Sequence, residues 1–528
     1  MTRPTTTGKA QDLITFTRST TGTYLDSVTY GDELVTNGDF ATDISGWENV
    51  SVGTYSLTVS SSGLALQGTN SSNRPRIYQQ IATETGKSYK ATINVTSYTS
   101  GNFVFAIDAN TSFGSVYESV IPDSEGAFTF RFTATGNDQY IWLFGGSGGV
   151  DCIIDNISVK EVIGGQGTQG TPLLRTSAIN EARIEYDASG NCLGLLVEEA
   201  RTNLLQYSNQ ANQISYHNDG ATTGVDTAEV TSPEGSGTVI KLNKTSGGYG
   251  FARVSYSSIT NAQTLSAFVK KGTARYIGFR QLAAFATHTT FDLETNTWVQ
   301  TIGSTSRGYE DYGNGWLRLW VVSDDTRSKT WASICITNSG GTETNYETGT
   351  VYVYGIQRES GSFPTSYIPT SGSTVTRAAD VASLAVSEFG YNQDQGTVVA
   401  EAAPSDISSG GRVFSLNDGT GSNVVRSQAQ NSNHFIVISG GAVQGNIDAG
   451  TFANNTFSTL SGAYKQDDIA ACIDGGAVVT DTSATIPTIT NLSIGQRYDG
   501  NNKINGHIKS IQYYPLRLSN AQLQALTV

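Results

Sequence analysis

Cysteine is scarce and scattered in this 528-residue chain. Cys152, Cys192, Cys335 and Cys472 form no CxxC pair, which excludes sequence-local zinc ribbons, thioredoxin-like redox motifs and a disulfide framework. The four histidines, His217, His288, His434 and His507, are isolated from one another, so no short stretch assembles a metal or catalytic histidine group. Charge is also sparse. Asp, Glu, Lys and Arg make up 15 % against roughly a quarter in ordinary globular proteins. The balance is acidic, with a net charge of −14, which argues against nucleic acid or anionic lipid as the main partner. No apolar run reaches 18 residues, and the opening MTRPTTTGKAQD has no apolar core. Neither a signal peptide nor a membrane span is expected, so a role outside a cell would require another exit such as lysis. No heptad repeat of coiled-coil length is visible, which leaves sheet contacts to hold any oligomer.

What is abundant is glycine (58 residues), tyrosine (25 residues) and uncharged polar side chains. With glycine counted as apolar and tyrosine not, the apolar share is about 43 %, a folded-protein value. The length predicts three or four domains. Apolar residues alternate with period two at Tyr89–Val95, Phe128–Phe132, Tyr140–Phe144, Cys152–Val159, Leu265–Lys270, Leu317–Val322, Val351–Gln357, Thr397–Ala402, His434–Ser439 and Lys509–Tyr514, the signature of strands. Helix is expected only at Leu193–Tyr207 and Ser519–Ala525. Asn-Gly and Asp-Gly pairs, Asp474-Gly475 among them, supply turns. The fold class read from this is all-β, a tandem of β-sandwich or jelly-roll domains. The segments GGQGTQGT (164–171) and SGSFPTSYIPTSGSTVT (360–376) read as connectors.

Patterns that carry catalysis do not hold up. Gly145-Gly146-Ser147-Gly148-Gly149 matches GxSxG, but a nucleophile elbow needs a helix after the turn and another strand-like run follows. Gly165–Gly170 matches GxGxxG without the helix of a dinucleotide fold. Glu198-Glu199 and Asp324-Asp325 are sequence neighbours, which face apart on a helix or a strand rather than across a substrate. No enzyme is expected.

Several longer strings resemble the modular fibre and appendage proteins of tailed bacteriophages: ITFTRSTTGTYLDS (14–27), PLLRTSAINEARIEYDASGNCLGLLVEEARTNLL (172–205) and SFPTSYIPTSGSTVTRAADV (362–381). About 130 residues part the first two. This insert opens ELVTNGDFATDISGW and closes CIIDNISVKEV, resembling jelly-roll carbohydrate-binding modules of the family 4/9 type. Residues 206–378 look like a second jelly roll, with landmarks LSAFVKKG and GNGWLRLWV. Residues 379–528 resemble a laminin-G-like or concanavalin-like sandwich. The implied organisation is a virion-mounting segment (1–32), the inserted jelly roll (33–163), the return of the mounting segment (164–205) and the two further sandwiches. Insertion requires chain ends that lie close at an exposed turn, expected at Tyr30–Glu33.

The resemblance implies a virion structural appendage, a tail fibre or receptor-binding protein attaching to bacterial surface polysaccharide. It would be assembled with other virion proteins as a homotrimer and located on the virion, with no nucleic-acid partner and no membrane insertion. A head fibre or capsid decoration protein is the alternative, and a glycan-degrading enzyme a more remote one. It also implies a structural calcium ion joining the first and last strands of the insert, with Asp39 and Asp155 as ligands. Sugars are held by exposed rings and planar polar groups, which the insert supplies at Trp47, Tyr55, Arg74, Arg76, Tyr78, Gln79, Tyr117, Tyr140 and Trp142; Arg76, Tyr78, Gln79 and Trp142 are the foremost candidates. In the middle sandwich Trp316, Arg318 and Trp320 share a strand face. They form either a binding platform or a packing surface against another subunit.

Overall fold

The computed structural model describes residues 14–528 apart from 27–28, 61, 71, 112–115, 123, 164–172, 218–221, 236, 247–250, 260–261, 281–287, 302–303, 324–328, 342–346 and 431–433. The chain forms two compact units. One comprises Ser27–Thr171 with Ala178–Glu181; the other comprises the remainder on either side of it. Antiparallel sheets make up nearly all of both.

The inserted unit is organised by two long strands, Ser88–Asp108 and Gln139–Ile163, which pair with each other along their length. The first half of Gln139–Ile163 also pairs with Arg76–Ile81, and its second half with Gly63–Gly68. Both halves bury alternate side chains in one core, among them Ile77, Ile141, Leu143, Phe103, Phe105, Ile154 and Val159. The register slips between Gly145 and Val150. There a Cβ on Gly101 would strike the backbone of Gly149, and Gly101 and Gly149 both have positive φ. The GxSxG match is therefore the corner where two strands bend past each other at backbone contact, which only glycine permits. Tyr30–Glu33, expected to be a turn, lies instead in the strand Thr29–Glu33, which pairs with Lys160, Val162 and Ile163.

The larger unit holds two sandwiches. Two six-stranded sheets enclose a core that includes Ile240, Leu265, Ala267, Phe291, Leu319 and Ile334. Two seven-stranded sheets enclose another around Val398, Phe414, Leu416, Val437 and Leu460. The segments before and after the insert are woven into this unit. Thr15–Thr17 pairs with Val381–Ala385 at the edge of one seven-stranded sheet. Cys192–Val197 pairs with Gly506–Tyr514 in the other. Gly22–Asp26 pairs with Leu173–Ser177, and Leu173 lies directly opposite Asp26. The chain thus departs toward the insert and returns at cross-strand neighbours, the geometry that lets a domain be inserted.

The helix expected at Leu193–Tyr207 is absent. Cys192–Val197 and Arg201–Asn203 are strands, because the apolar run Leu195–Val197 is covered by a sheet neighbour on one side and the sandwich core on the other, and tertiary burial overrides propensity. Asn520–Ala525 is helical and opens on a Ser519–Gln522 capping box.

Five charged residues of the three motif strings, Arg18, Arg183, Glu198, Arg377 and Asp380, meet in one buried cluster. Arg18 contacts Asp380 at 3.0 Å and donates to Ser177 Oγ. Arg183 reaches Glu198 at 2.8 Å and also bonds Asp380 and Ser366. Arg377 contacts Glu198 at 3.3 Å. Ser366 donates to Glu198 through both its backbone N–H and its hydroxyl, and the Glu198 N–H donates to Asp380 at 2.9 Å. Burial alone would raise the Glu198 pKa, but Arg377, Arg183 and the Ser366 bonds outweigh it and hold the carboxyl well below the usual range.

Candidate functional site

The outward face of the strands Arg76–Ile81 and Gln139–Ile163 in the inserted unit carries the most concentrated recognition chemistry among the described residues. Ile77, Ile141 and Leu143 point to the core, so alternation sends Arg76, Tyr78, Tyr140, Trp142 and Phe144 the other way. Register places Trp142 directly opposite Tyr78 on one side and Ala106 on the other. The Tyr78 and Trp142 ring centroids are 4.7 Å apart, and Tyr140 meets Tyr78 edge-on at 5.8 Å. The Arg76 guanidinium lies 5.5 Å over the Trp142 ring and that of Arg74 lies 5.2 Å over Phe144. These side chains form a hydrophobic cluster separate from the core.

Exposure is graded across the face. Trp142 is 1 % exposed and its indole N–H donates to the Asn110 carbonyl. Tyr78, Tyr140, Arg74 and Arg76 are half-buried, and Gln80 and Glu48 are exposed at the margin. Trp142 is a buried support beneath a surface of tyrosine and arginine. The Arg76 Nε is buried and has no hydrogen-bond partner. Such a face offers flat rings for the C–H side of a sugar and guanidinium N–H groups for its oxygens.

No family model and no curated protein matches the chain. Two solved structures that resemble it come from carbohydrate-related proteins. One is the N-terminal CBM22-1–CBM22-2 tandem domain of Paenibacillus barcinonensis Xyn10C, at 10 % identity, covering 64 % of this chain and all of that one, with a TM-score of 0.20. The other is a glycoside hydrolase of family 32 from Bifidobacterium adolescentis, at 8 % identity, covering 83 % and 99 %, with a TM-score of 0.16. The all-β sandwich architecture rests on the chain's own sheets.

The remaining sequence-predicted site residues fall elsewhere. Gln79 faces the interior, opposite Tyr78. Its amide accepts from the Thr36 N–H at 2.7 Å and donates to the Thr36 and Gly46 carbonyls, so it anchors the opening loop of the insert rather than a ligand. Trp47 is buried against Phe40 and donates to the Asn37 carbonyl. The side chain of Tyr117 lies outside the described residues.

The strand Trp316–Ser323 is buried along its whole length within this chain, so its side chains form neither of the two expected surfaces, a platform or a face for another subunit. Trp316 packs with Leu25, Leu174, Phe268 and Tyr367, and its indole N–H donates to the Thr231 carbonyl. Arg318 donates to the Thr365 carbonyl at 2.5 Å and sits over the Phe268 ring. Trp316 is covered by the segments on either side of the insert and Arg318 by the 360–376 connector, while the Trp320 ring lies against Gly308 of the neighbouring strand Ser306–Asp311.

Asp39 is exposed, and Asp155 turns its carboxylate to the backbone and side chain of Asn156. The adjoining backbone closes through the Ile157 N–H and the Gly38 carbonyl. Among the described residues no group of three or more acidic, histidine or cysteine side chains converges. Calcium takes six to eight oxygens, so beside these two carboxylates an ion here would draw on backbone carbonyls of the two strands.

Of the paired carboxylates, Glu198 belongs to the buried cluster and Glu199 pairs with Arg201 at 2.6 Å; Asp324-Asp325 lies outside the described residues. His507 is not solitary: its Nε2 meets Glu185 at 2.6 Å, and Glu185 also accepts from the Leu25 N–H. His434 pairs with Asn446, His288 is buried, and the side chain of His217 lies outside the described residues. Arg74 and Tyr140 were among the many polar and aromatic residues of the insert. The same period two that puts Arg76 beside Tyr78 places Arg74 on this face, and Tyr140 joins it beside Trp142.

Proposed function

We propose that this chain is a glycan-binding appendage of a tailed bacteriophage virion, which attaches to polysaccharide on the bacterial surface through the inserted unit. The observation that carries the glycan part is the arginine-topped aromatic face built by Arg76, Tyr78 and Tyr140 over buried Trp142. The motif strings support the phage part by resemblance. The reading includes mounting on other virion proteins and assembly as a homotrimer, with affinity gained from repeated weak contacts. It acts by binding rather than by bond cleavage. Supporting that, Glu198 and Glu199, the adjacent carboxylates that are described, are both held by arginine.

The test compares bacterial-cell and glycan-array binding of the intact chain, Tyr78→Ala, and a form lacking residues 27–171 closed by a short Gly-Ser turn between Asp26 and Pro172. Tyr78→Ala is expected to weaken binding to neutral glycans about tenfold, the scale of one stacking contact in a sugar site, and the deletion to abolish it on those glycans. Equal binding by all three overturns the assignment to this face. Release of reducing ends from host polysaccharide overturns the binding-only reading.

A further inference from the structure

A second feature stands out against the acidic chain: three arginines converge on the outer face of one seven-stranded sheet in the terminal sandwich. Arg412 lies in the strand Gly411–Asn417 and Arg426 in Val424–Ala429. Register pairs Arg412 with Gln428 and Ser415 with Arg426, with a bulge between Arg412 and Phe414. Val413, Phe414, Leu416 and Val425 are in the core, so Arg412 and Arg426 share the opposite face. The loop after Asn491–Ile494 wraps the bulge: the Gly495 N–H donates to Val413 and the Arg412 N–H to Asn502. That loop brings Arg497 to the same place.

The three are unequally compensated. Arg497 is gripped by both carboxylate oxygens of Asp499 and lies over the Tyr498 ring. Arg412 is buried, and its one side-chain bond runs to the Gly410 carbonyl. Arg426 has no carboxylate within ion-pair distance among the described residues, and the Nε atoms of both Arg412 and Arg426 are buried without a hydrogen-bond partner. Burial, then repulsion from Arg426 and Arg497, pulls the Arg412 pKa down to about 9. Desolvated like charges with vacant donors destabilise the fold that holds them. An arrangement of this kind is relieved by an anion.

We propose that Arg412, Arg426 and Arg497 form an oxyanion-binding site for a single carboxylate or sulfate substituent on a glycan. Guanidinium forks fit two oxygens of a carboxylate or of a tetrahedral oxyanion by paired N–H bonds. The net charge of −14 disfavours attraction of long polyanions from a distance, so recognition is of one substituent at short range. The site lies on a different sandwich from the aromatic face and stands or falls without it.

The test measures calorimetric binding and thermal unfolding of the full chain with trigalacturonate, its neutral methyl ester, a sulfated trisaccharide and inorganic phosphate. Trigalacturonate or the sulfated sugar should bind and raise Tm as its concentration rises, while the methyl ester should not. Phosphate acting alone, with neither sugar binding, overturns the glycan assignment. Arg426→Gln should weaken anion binding at least about tenfold and leave the unliganded Tm equal or higher, since it removes a repelling charge. A merely structural arginine would lower it. Tyr78→Ala should leave anion binding unchanged. The proposal is overturned if no anionic probe binds, if Arg426→Gln binds as the parent chain does, or if Tyr78→Ala abolishes the effect.

Discussion

Asp380→Asn probes the buried cluster with almost no change of shape. The Asp380 carboxylate accepts from Arg18 at 3.0 Å, from Arg183, and from the Glu198 backbone N–H at 2.9 Å. Three arginines face two carboxylates there, and the side chains of Arg18, Arg183 and Asp380 are wholly buried. Removing one negative charge doubles the uncompensated positive charge where water cannot screen it. Breaking a buried pair by deleting one partner costs about 3–5 kcal/mol, a large part of the roughly 5–15 kcal/mol that holds a domain together. At about 2–4 °C per kcal/mol for a domain of 150–250 residues, the transition of the larger unit should fall by roughly 6–20 °C. Circular dichroism melts of the full chain at pH 7 measure this. The loss should persist in 1 M salt, because buried charges are poorly screened. Lys241→Gln, which breaks the exposed pair with Glu229, should leave the melt where it was. A shift for Asp380→Asn below about 2 °C, under 1 kcal/mol on the same scale, or one erased by salt, would refute the idea that the cluster holds the unit together.

Acid should weaken the fold in two stages. Burial, with Arg280 nearby, lowers the His288 pKa to about 3, so below pH 6.5 the unfolded chain takes up a proton that the folded chain refuses. Stability should therefore fall by about 1.4 kcal/mol per pH unit from this group, and His288→Asn should flatten that limb in urea titrations across pH 4.5–6.5. Glu198 is depressed, so its contribution is complete above the ordinary carboxylate range and is lost as pH falls through it; Glu198→Gln should remove this lower limb. Cys192 is exposed while Cys152, Cys335 and Cys472 are buried, and burial pushes the Cys152 thiol up to about 12. Mass spectrometry after maleimide treatment should find one label on the native chain and four after denaturation. Gly101→Val should unfold the inserted unit selectively, because its Cβ would strike the Gly149 carbonyl, leaving one of two thermal transitions in place.

Period two was sufficient to read the strand at Tyr89–Val95, where Tyr89, Ala91, Ile93 and Val95 enter the core and the residues between them do not. It also put Arg76 with Tyr78, and Trp142 with Phe144. What it could not reveal is which face another element covers. Trp316, Arg318 and Trp320 have the same spacing as Tyr78 and its neighbours, yet Leu25 and Leu174, distant in sequence, lie against Trp316. Gln79 has the composition of a sugar contact, but the Thr36 backbone claims its amide. Leu193–Tyr207 spaces its apolar residues like a helix, but sheet pairing and the sandwich core dictate strands there.

The charged residues of the motif strings reverse the usual expectation for an uncommon charge in a polar-neutral chain. Arg18, Arg183, Glu198, Arg377 and Asp380 are not surface residues awaiting a partner. They satisfy one another where the pre-insert strand, the return segment and the start of the terminal sandwich converge. Replacing such a group with apolar side chains can be neutral or stabilising, so stability alone does not explain charges at this junction. They also discriminate between pairings: Arg18 in the wrong register with Asp380 would leave a buried ion unpaired. In a chain whose first strand, Thr15–Thr17, must find Val381–Ala385 across more than three hundred residues and an inserted domain, that penalty on wrong partners supplies what local sequence cannot. Arg412 and Arg426 differ: no carboxylate among the described residues pairs with either, and it is the surplus charge there that the anion-binding tests above probe.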